Sequence, residues 1–375
     1  MKDILKSIYL NFREHLLRGV GTLIPENRSA DVRVDRDIEK MLFIRIDRIG
    51  DLVLSTPAFK AIKRAFPACE LAVLASASNH SVLINNPYVD RIFVYEKKNR
   101  LGNRNGIIKQ LRKYNADLVI DPYPDYELKT ALISFLSGAK IRVGYAGYGR
   151  ETFFNIKAKT TKEKKHFVDQ TLDVLEPLGI AAKDKKPDLF LTEEEKRWGR
   201  KWIKDKGVEG KLIVGVHPGA HYESRRWLPE RFAELANEVR KDRETEVIIF
   251  GGPGDKRLVE RISSMIEKTQ ISHVTDNLRR FTALLSCCHV LVCNNSGPLH
   301  LAAAINLPTV SFMGPADKHR WMPIGEIHKV FRINDLPCIG CNLGSCKLKG
   351  HDCMRLITSS MVIDAVKDCL RGKIN

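Results

Sequence analysis

The sequence of 375 residues is long enough for two domains, and its 43% hydrophobic and 29% charged residues are typical of a globular protein rather than a disordered chain. Its 62 lysines and arginines exceed its 45 aspartates and glutamates, and the formal charge of +17 favours anionic partners such as nucleic acid, phosphorylated substrates or an acidic membrane surface. No stretch approaches the roughly 20 apolar residues of a membrane-spanning helix, and the N-terminus lacks the features of a signal peptide, so we expect a cytoplasmic protein.

The first 19 or so residues are predicted to form an amphipathic helix. Apolar residues recur at helical spacing, at Ile4, Leu5, Ile8, Phe12 and Leu16. Basic residues surround that stripe, at Lys2, Lys6, Arg13 and Arg18. Such a helix either packs on the protein's own surface or rests on anionic lipid, which would make the protein peripheral at the inner membrane. A polar connector follows, so residues 1–37 form a separate N-terminal segment.

From residue 38 the pattern changes to short apolar runs separated by helix-compatible stretches, and a second series of the same kind begins near residue 211. This alternation is typical of parallel sheets covered by helices. We therefore predict an α/β protein with two Rossmann-like, doubly wound domains, residues 38–180 and 181–375. Ligands of such domains bind at the carboxyl ends of the strands, so the turns after the strands are expected to face one inter-domain cleft.

The first turn of the first domain carries the sequence Arg45-Ile-Asp-Arg-Ile-Gly50-Asp51. A glycine at this point lets backbone N–H groups approach a phosphate, and the helix N-terminus favours negative charge. The spacing is not that of a dinucleotide-binding fingerprint. On the local sequence, Asp51 is either a plain N-cap or a general base that faces the cleft.

Two turns of the second domain could bind an anionic diphosphate or a nucleoside. His217-Pro-Gly-Ala220 is followed by Arg225 and Arg226, and arginine offers a planar fork of donors to phosphate oxygens. The alternative is that both arginines are solvent-exposed beside a structural tryptophan. After the next strand, Asp255 could accept hydrogen bonds from a ribose or a base.

The most specific segment runs from Cys293 to Ala304, where a buried strand gives way to small polar residues and an alanine-rich helix. The turn at Ser296-Gly297 presents unpaired N–H groups to an anion and lets a ligand come close. His300 falls in the first helical turn, where a phosphate would favour its protonated form. A capping role without a ligand is the alternative.

Four motifs together resemble glycosyltransferase family 9, the heptosyltransferases of lipopolysaccharide core synthesis. They are IRIDRIGDLVLSTPA, VHPGA with SRRWLPERFAELA, FGGPGD, and NNSGPLHLAAAINLPTVSFMGP, in the family's order from about Met41 to the C-terminus. The resemblance implies a GT-B fold, an ADP-activated heptose donor, an acceptor sugar on the lipid A core, and inversion at the anomeric carbon without a catalytic metal.

By position in these motifs, the resemblance implies that Asp51 is the catalytic base. The implied donor-binding residues are Ala220, His221, Arg225, Arg226, Asp255, Asn295, Ser296, Gly297 and His300. One departure is Asn295, where the family commonly has aspartate; an amide brings no charge and adds donors of its own. This departure leaves open an alternative function, a non-catalytic protein that binds nucleotide sugars or acidic glycans.

Basic residues of the first domain are candidates for binding an acidic, phosphorylated oligosaccharide acceptor. They are Arg45, Arg48, Lys129 and Arg142. Each could equally be an ordinary solvated basic residue. Nucleic acid is not an expected partner, because the chain shows no basic stripe interleaved with aromatic residues.

Four cysteines lie close together beyond the last strand, in the pattern Cys338-x2-Cys341-x4-Cys346-x6-Cys353. In a cytosolic protein such a cluster suggests a metal site before a disulfide. We expect structural zinc, with an iron–sulfur cluster, a disulfide or free thiols as alternatives. None of these interpretations makes the site catalytic, so no cofactor is expected for the reaction itself.

Overall fold

The computed structural model describes residues 2–21, 38–96, 102–159, 163–267, 271–348 and 350–371. The chain divides into two compact units, Met1–Lys185 and Lys186–Asn375. Sequence analysis placed the corresponding boundary between residues 180 and 181. No helix in the described part of the chain is both long enough and apolar enough to cross a membrane.

The first unit alternates strands and helices after an N-terminal helix. Its helices are α1 (Lys2–Gly21), α2 (Ile49–Val53), α3 (Thr56–Ala65), α4 (Gly102–Tyr114), α5 (Lys129–Leu136) and α6 (Phe167–Asp173). Its strands are β1 (Lys40–Arg45), β2 (Glu70–Ser76), β3 (Arg91–Tyr95), β4 (Leu118–Asp121), β5 (Ile141–Tyr145) and β6 (Ile156–Ala158).

The strands of the first unit form one parallel sheet in the order β3-β2-β1-β4-β5-β6. Alternate residues of β1 point to opposite faces of the sheet, as a strand requires. Leu42 and Ile44 pack in the same core as Leu111 of α4, whereas Phe43 meets Phe59 of α3 edge-on. Both faces are thus covered, and β1 is buried along its length. The order of strands reverses between β1 and β4, and that switch point is where such sheets bind ligands.

Helix α1 packs on the first unit through one of its faces. Leu10 is buried, and Leu17 packs against a cluster that contains Phe153 and Phe154. Arg13 donates hydrogen bonds to the backbone carbonyl oxygens of Tyr126 and Tyr148. The contacts confirm the predicted helix and show that it is a packed element of this unit.

A neighbouring face of α1 exposes large apolar side chains. Tyr9 is 59% exposed, Phe12 69% and Leu16 58%. Arg18 forms ion pairs with Glu14 and Glu151. Arg13 and Arg18, which would face lipid if the helix rested on a membrane, both contact the protein. The predicted roles of Lys2, Ile4, Leu5, Lys6 and Ile8 concern side chains outside the described residues.

The second unit repeats the alternation. Its helices are α7 (Glu193–Asp205), α8 (Pro229–Val239), α9 (Lys256–Ser263), α10 (Leu278–Leu285), α11 (Gly297–Ala304), α12 (Lys318–Trp321), α13 (Asp352–Arg355) and α14 (Ser359–Arg371). Its strands are β7 (Leu212–His217), β8 (Thr245–Gly251), β9 (Ile271–Val274), β10 (Val290–Asn294), β11 (Thr309–Phe312) and β12 (His328–Phe331).

The second sheet is also parallel, in the order β12-β11-β10-β7-β8-β9, and its switch point lies between β7 and β10. Trp227, buried next to this sheet, stacks on Phe312 of β11 and donates its indole N–H to the carbonyl oxygen of Ile357. Phe250 of β8 packs on the other face against Phe281 of α10. The predicted pair of doubly wound α/β units is confirmed.

Candidate functional site

The switch point of the first sheet carries an aspartate with a perturbed acidity. Strand β1 ends at Arg45, and after a short turn Asp51 lies in the first turn of α2, where its Oδ2 accepts a hydrogen bond from the backbone N–H of Arg48 at 3.2 Å. The side chain is 9% exposed. Burial, reinforced by the negative charge of Asp47, raises the pKa of Asp51 to about 7. A carboxyl group with this pKa is partly ionised near neutral pH, and its carboxylate form is a better proton acceptor than an ordinary aspartate.

Asp47 is a second carboxylate at the same turn, and sequence analysis assigned it no role. Its Oδ2 lies 3.3 Å from a guanidinium nitrogen of Arg45, and its Oδ1 is buried without a hydrogen-bond partner among the described residues. Burial raises the pKa of Asp47, and Arg45 opposes that rise. The sequence offered one indication of this second carboxylate, because Asp47 and Asp51 lie four positions apart in the same glycine-containing turn.

Arg45 is an internal partner of these carboxylates. It is 1% exposed, its guanidinium lies over the rings of Tyr123 and Phe167, and one of its nitrogens donates to Oγ1 of Thr171 at 3.1 Å. Its charge lowers the pKa of both Asp47 and Asp51. The expectation that Arg45 binds an acceptor directly therefore finds no support in its surroundings.

Arg142 is the second predicted acceptor residue that the structure places in the interior. It is 1% exposed in β5 and donates to the carbonyl oxygens of Phe153 and Ala139. Since a buried guanidinium needs such acceptors, these bonds explain its presence without a ligand. Arg48, by contrast, is exposed at the turn, and the half-buried Lys129 lies over the ring of Tyr95.

The neighbouring strand β4 ends in a buried ion pair that braces this turn. Asp121 and Arg150 are almost fully buried, with 2.9 Å between carboxylate oxygen and guanidinium nitrogen. Asp121 also accepts the backbone N–H of Tyr123, whose hydroxyl oxygen accepts the N–H of Ile46 at 2.8 Å. The ends of β1 and β4 are thereby linked, which holds the turn that carries Asp51.

A pocket of about 360 Å³ opens at the carboxyl ends of β4 and β5. Its walls include Tyr145, Lys159, Lys165 and Gln170, and Glu14 of α1 closes one side. The Lys165 ammonium pairs with Asp173 at 2.7 Å. Sequence analysis missed this pocket, because its wall comes from several segments that are distant in sequence.

In the second unit, the loop after β7 is packed against Asp255. A Cβ atom on Gly219 would clash with the carboxylate of Asp255, so a larger residue here would displace the loop or that carboxylate. Asp255 accepts the backbone N–H of Gly252 at 3.1 Å and lies 3.9 Å from Nε2 of His217. Burial lowers the pKa of His217, which keeps that imidazole neutral at pH 7.

The paired arginines after this loop have different partners. Arg226 donates twice to the carbonyl oxygen of Ala220, at 3.1 and 2.9 Å, and so braces the loop. Arg225 donates to Oδ1 of Asn342 at 2.9 Å, and its guanidinium lies over the ring of Tyr222. The exposed His221 packs edge-on against the same ring.

Strand β10 ends beside this loop, and α11 begins as predicted at Gly297. Asn294, which sequence analysis did not single out, accepts the N–H of Trp227 and donates to the carbonyl oxygen of Pro218. It therefore ties the ends of β7 and β10 together. Ser296 and Gly297 follow at the helix start, and His300, 4% exposed, lies in the first turn of α11.

Asn295 has a partner that explains why an amide stands there. Its Nδ2 donates to the carbonyl oxygen of Trp321 at 3.3 Å, and the side chain is 3% exposed. An aspartate would place two acceptors against each other at this point. The departure from the family pattern is thus matched to the local structure of this chain.

The four clustered cysteines are near one another but differ in exposure. Cys338, Cys341 and Cys346 are exposed, whereas Cys353 is buried beside Gly314. Burial and the three neighbouring cysteines raise the pKa of Cys353 to about 11. Among the side chains that the structure describes, no group of three or more His, Cys, Asp or Glu is arranged to hold a metal ion.

Comparison with known proteins identifies the relatives of the chain. The model of glycosyltransferase family 9 (heptosyltransferase) matches residues 104–351, which is more than half of the chain. Lipooligosaccharide heptosyltransferase 2 of Campylobacter jejuni is 26% identical over 328 residues, covering 85% of this chain and 95% of that protein.

Solved structures show the same fold. A glycosyl transferase family 9 protein from Veillonella parvula matches with a TM-score of 0.80 at 22% identity, over 91% of this chain and 99% of that one. The ADP-heptose lipopolysaccharide heptosyltransferase II of E. coli matches with a TM-score of 0.74 at 22% identity, over 90% of this chain and all of that one.

Proposed function

Because the chain belongs to glycosyltransferase family 9 (heptosyltransferase), as its motifs indicated, we propose that it transfers a heptose from an ADP-sugar to an acceptor sugar of the lipopolysaccharide core. The relatives named as heptosyltransferases support this choice of sugar and acceptor. The observation that carries the proposal is Asp51, which stands in a sequence that resembles a motif of the family. It lies at the switch point of a doubly wound sheet, and burial raises its pKa to about 7.

Asp51 acts as the general base in the proposed reaction. Its carboxylate takes the proton of the acceptor hydroxyl while that oxygen forms a bond to the anomeric carbon of the donor. The bond from the anomeric carbon to the diphosphate oxygen breaks, and its electron pair leaves with ADP. Attack from the face opposite the diphosphate inverts the anomeric configuration.

The second unit binds the donor in this proposal. Arg225 offers N–H donors to the diphosphate, while Arg226 and Asn294 hold the backbone that surrounds it. The start of α11 at Ser296-Gly297 supplies backbone N–H groups and a favourable field for negative charge. These groups stabilise the charge that develops on the leaving ADP, so we propose that the reaction needs no catalytic metal.

The acceptor binds to the first unit. Of the four predicted basic residues, Arg48 and Lys129 remain candidates. The exposed Lys159 of the pocket adds an ammonium group, whereas that of Lys165 is already paired with Asp173. Arg45 instead tunes the carboxylates, and Arg142 holds the interior of the sheet. A phosphorylated core oligosaccharide has the negative charge that these lysines would bind.

We also propose that α1 rests on the inner-leaflet membrane surface, where a lipid-linked acceptor is found. Tyr9, Phe12 and Leu16 are exposed on one side of a helix whose other side is fixed to the protein. Apolar and aromatic side chains of this kind insert at the boundary between headgroups and acyl chains. The protein would then work as a peripheral protein on the cytoplasmic side.

Structural zinc at Cys338, Cys341, Cys346 and Cys353 stays a prediction. The thiols suit zinc chemically, but the described side chains do not form a ready-made set of ligands. The zinc prediction is tested by measuring the zinc content of the purified wild-type protein and of a variant in which Cys338 and Cys341 are replaced by serine. One zinc ion per chain that disappears in the variant is the supporting result.

The proposed function is tested by incubating the protein with a panel of ADP- and UDP-sugars and with core oligosaccharide acceptors that lack heptose. With ADP-heptose we expect release of ADP and a heptosylated product. The anomeric configuration of the transferred heptose should be opposite to that in the donor. Tight binding of the ADP-sugar without transfer to any acceptor of the panel would instead support the non-catalytic binding protein.

A further inference from the structure

Arg225 is held by the loop 338–348, which has no role in the proposed reaction. The cysteine-containing loop, residues 338–348, packs on the short helical turn Glu223–Arg225. Asn342 of this loop accepts a hydrogen bond from Arg225 through Oδ1 at 2.9 Å. The two residues are 117 positions apart in the sequence, so the contact is a feature of the folded unit.

Neighbours of Arg225 also contact this loop. Ser224 donates its backbone N–H to the carbonyl oxygen of Gly344 at 3.3 Å and its hydroxyl to that of Leu343 at 2.5 Å. The ring of Tyr222, which lies beneath the Arg225 guanidinium, packs against Gly344. Backbone and side chain of the arginine segment are therefore both fixed from one direction.

The loop is itself anchored to the core of the second unit. The backbone N–H of Asn342 donates to the carbonyl oxygen of Pro315 at 2.7 Å, directly beyond β11. Asn342 has a φ of +57°, a left-handed conformation that asparagine tolerates better than most residues. Pro315 thus fixes the position from which the Asn342 side chain reaches Arg225.

We propose that Asn342 is a positioning residue that aims the Arg225 guanidinium at the donor diphosphate. An amide oxygen accepts one N–H group of the guanidinium without adding a negative charge, whereas a carboxylate at this position would neutralise the guanidinium. Because Asn342 already restricts the Arg225 side chain in the free protein, less side-chain entropy is lost when the donor binds. This inference rests on the proposed function, in which Arg225 contacts the diphosphate.

Substitution Asn342→Gly tests the proposal without straining the fold. Glycine removes the amide and is at ease at a φ of +57°, so the backbone is retained. Asn115→Gly is the matched control, because Asn115 is an exposed asparagine of the first unit with a φ of +55°. We expect Asn342→Gly to weaken ADP binding about five-fold and to raise KM for the donor, with kcat, acceptor KM and melting temperature close to wild type.

The double variant Asn342→Gly/Arg225→Ala separates this inference from the proposed function. If Asn342 acts through Arg225, the double variant binds ADP no more weakly than Arg225→Ala alone. Wild-type ADP affinity in Asn342→Gly, or additive losses in the double variant, overturns the positioning role while the donor site stands. Unchanged affinity in Arg225→Ala itself would overturn the donor site and the positioning role with it.

Discussion

At the switch point of the first sheet, β1 and β4 lead into carboxylates: Asp47 and Asp51 follow one strand, and Asp121 ends the other. At the switch point of the second sheet, β7 leads to the Arg225 segment, and β10 leads to the start of α11. The two sheets therefore have the same order of strands, but one carries acidic and the other basic side chains after its central strands. Burial raises the pKa of Asp51 to about 7, so that its carboxylate can take up a proton, whereas the Arg225 segment is held by hydrogen bonds to the loop 338–348.

In both units the sheet determines where the site lies, and the turns after the strands determine which chemical groups it contains. In the first unit, an internal arginine and a second carboxylate set the acidity of Asp51. In the second unit, Asn294 and Arg226 use their hydrogen bonds to fix backbone rather than to meet a ligand. Catalytic acidity and donor binding should therefore respond to different substitutions.

The largest expected effect is that of Asp51→Asn on transfer. Loss of the general base should lower kcat by about 10³-fold, within the usual range for such groups, while ADP affinity measured by calorimetry stays within about two-fold of wild type. Asp90→Asn is the matched control and should keep normal turnover, because Asp90 is an exposed aspartate of the same unit that pairs with Lys63. A large loss of ADP binding with retained turnover would break the comparison between the two units.

Arg225→Ala should produce the complementary result. Removal of a charge-assisted hydrogen bond weakens ADP binding by about 1.5 to 3 kcal/mol, or roughly 10- to 150-fold. Arg280→Ala is the control, because Arg280 is an arginine of the same unit that lies over the ring of Trp198 in a similar way. Calorimetry that gives both variants the affinity of the wild type removes Arg225 from the donor site.

Asp51 should also cost the folded protein stability, because its pKa in the folded state is raised from 3.8 to about 7. The folded state then holds the proton more tightly than the unfolded state, and stability falls as pH rises from about 4 to 7. Asparagine carries no such charge, so Asp51→Asn should be more stable at pH 8 by roughly 1 to 3 kcal/mol.

Thermal unfolding at pH 8 and pH 5 measures this difference. We expect a higher melting temperature for Asp51→Asn at pH 8 and a smaller gain at pH 5. A variant that melts below wild type at pH 8 would show that the attraction of the Asp51 carboxylate to Arg45 and Arg48 outweighs the cost of burying its charge.

The smallest expected effect is on membrane binding, which we assign to the first unit alone. Phe12→Gln with Leu16→Gln should reduce sedimentation with anionic phospholipid vesicles several-fold, because each removes apolar area from the interface. Met361→Gln, at an exposed apolar residue of α14 in the second unit, is the control. Equal sedimentation of the double variant and wild type would leave α1 as a packing element only.

Point substitutions are preferable here to deletion of residues 1–20. Leu10 is buried and Leu17 packs against Phe153 and Phe154, so deletion would expose apolar surface of the first unit. The sequence alone predicts that a truncated protein keeps its activity on a water-soluble acceptor. The packing of α1 instead predicts a less stable first unit after truncation.

The alternation of strands and helices was enough to predict both sheets and the turns that carry the site. Periodicity identifies strands, and the strands of a doubly wound sheet all end at one edge. Asp51, Arg225 and Gly297 could therefore be placed at the ends of strands from sequence alone. The family motifs then indicated which of these turns carries the base.

Side-chain partners that are distant in sequence could not be predicted. Arg45 and Arg142 were candidates for binding the acceptor, with ordinary solvated basic residues as the alternative, yet both are buried. Their burial depends on Thr171 and on the carbonyl oxygen of Phe153, which only the folded chain brings near. The contact of Arg225 with Asn342 is of the same kind.

The pH dependence of kcat/KM tests the central claim most directly, namely that the surroundings of Asp51 make it a base at neutral pH. Because Asp51 must be deprotonated to act, kcat/KM should rise with pH and level off above a pKa of about 7. Asp47→Asn removes the nearby negative charge, so the rise should move to lower pH. A profile that is flat from about pH 5.5 to 8, or one that does not move in Asp47→Asn, would contradict the account.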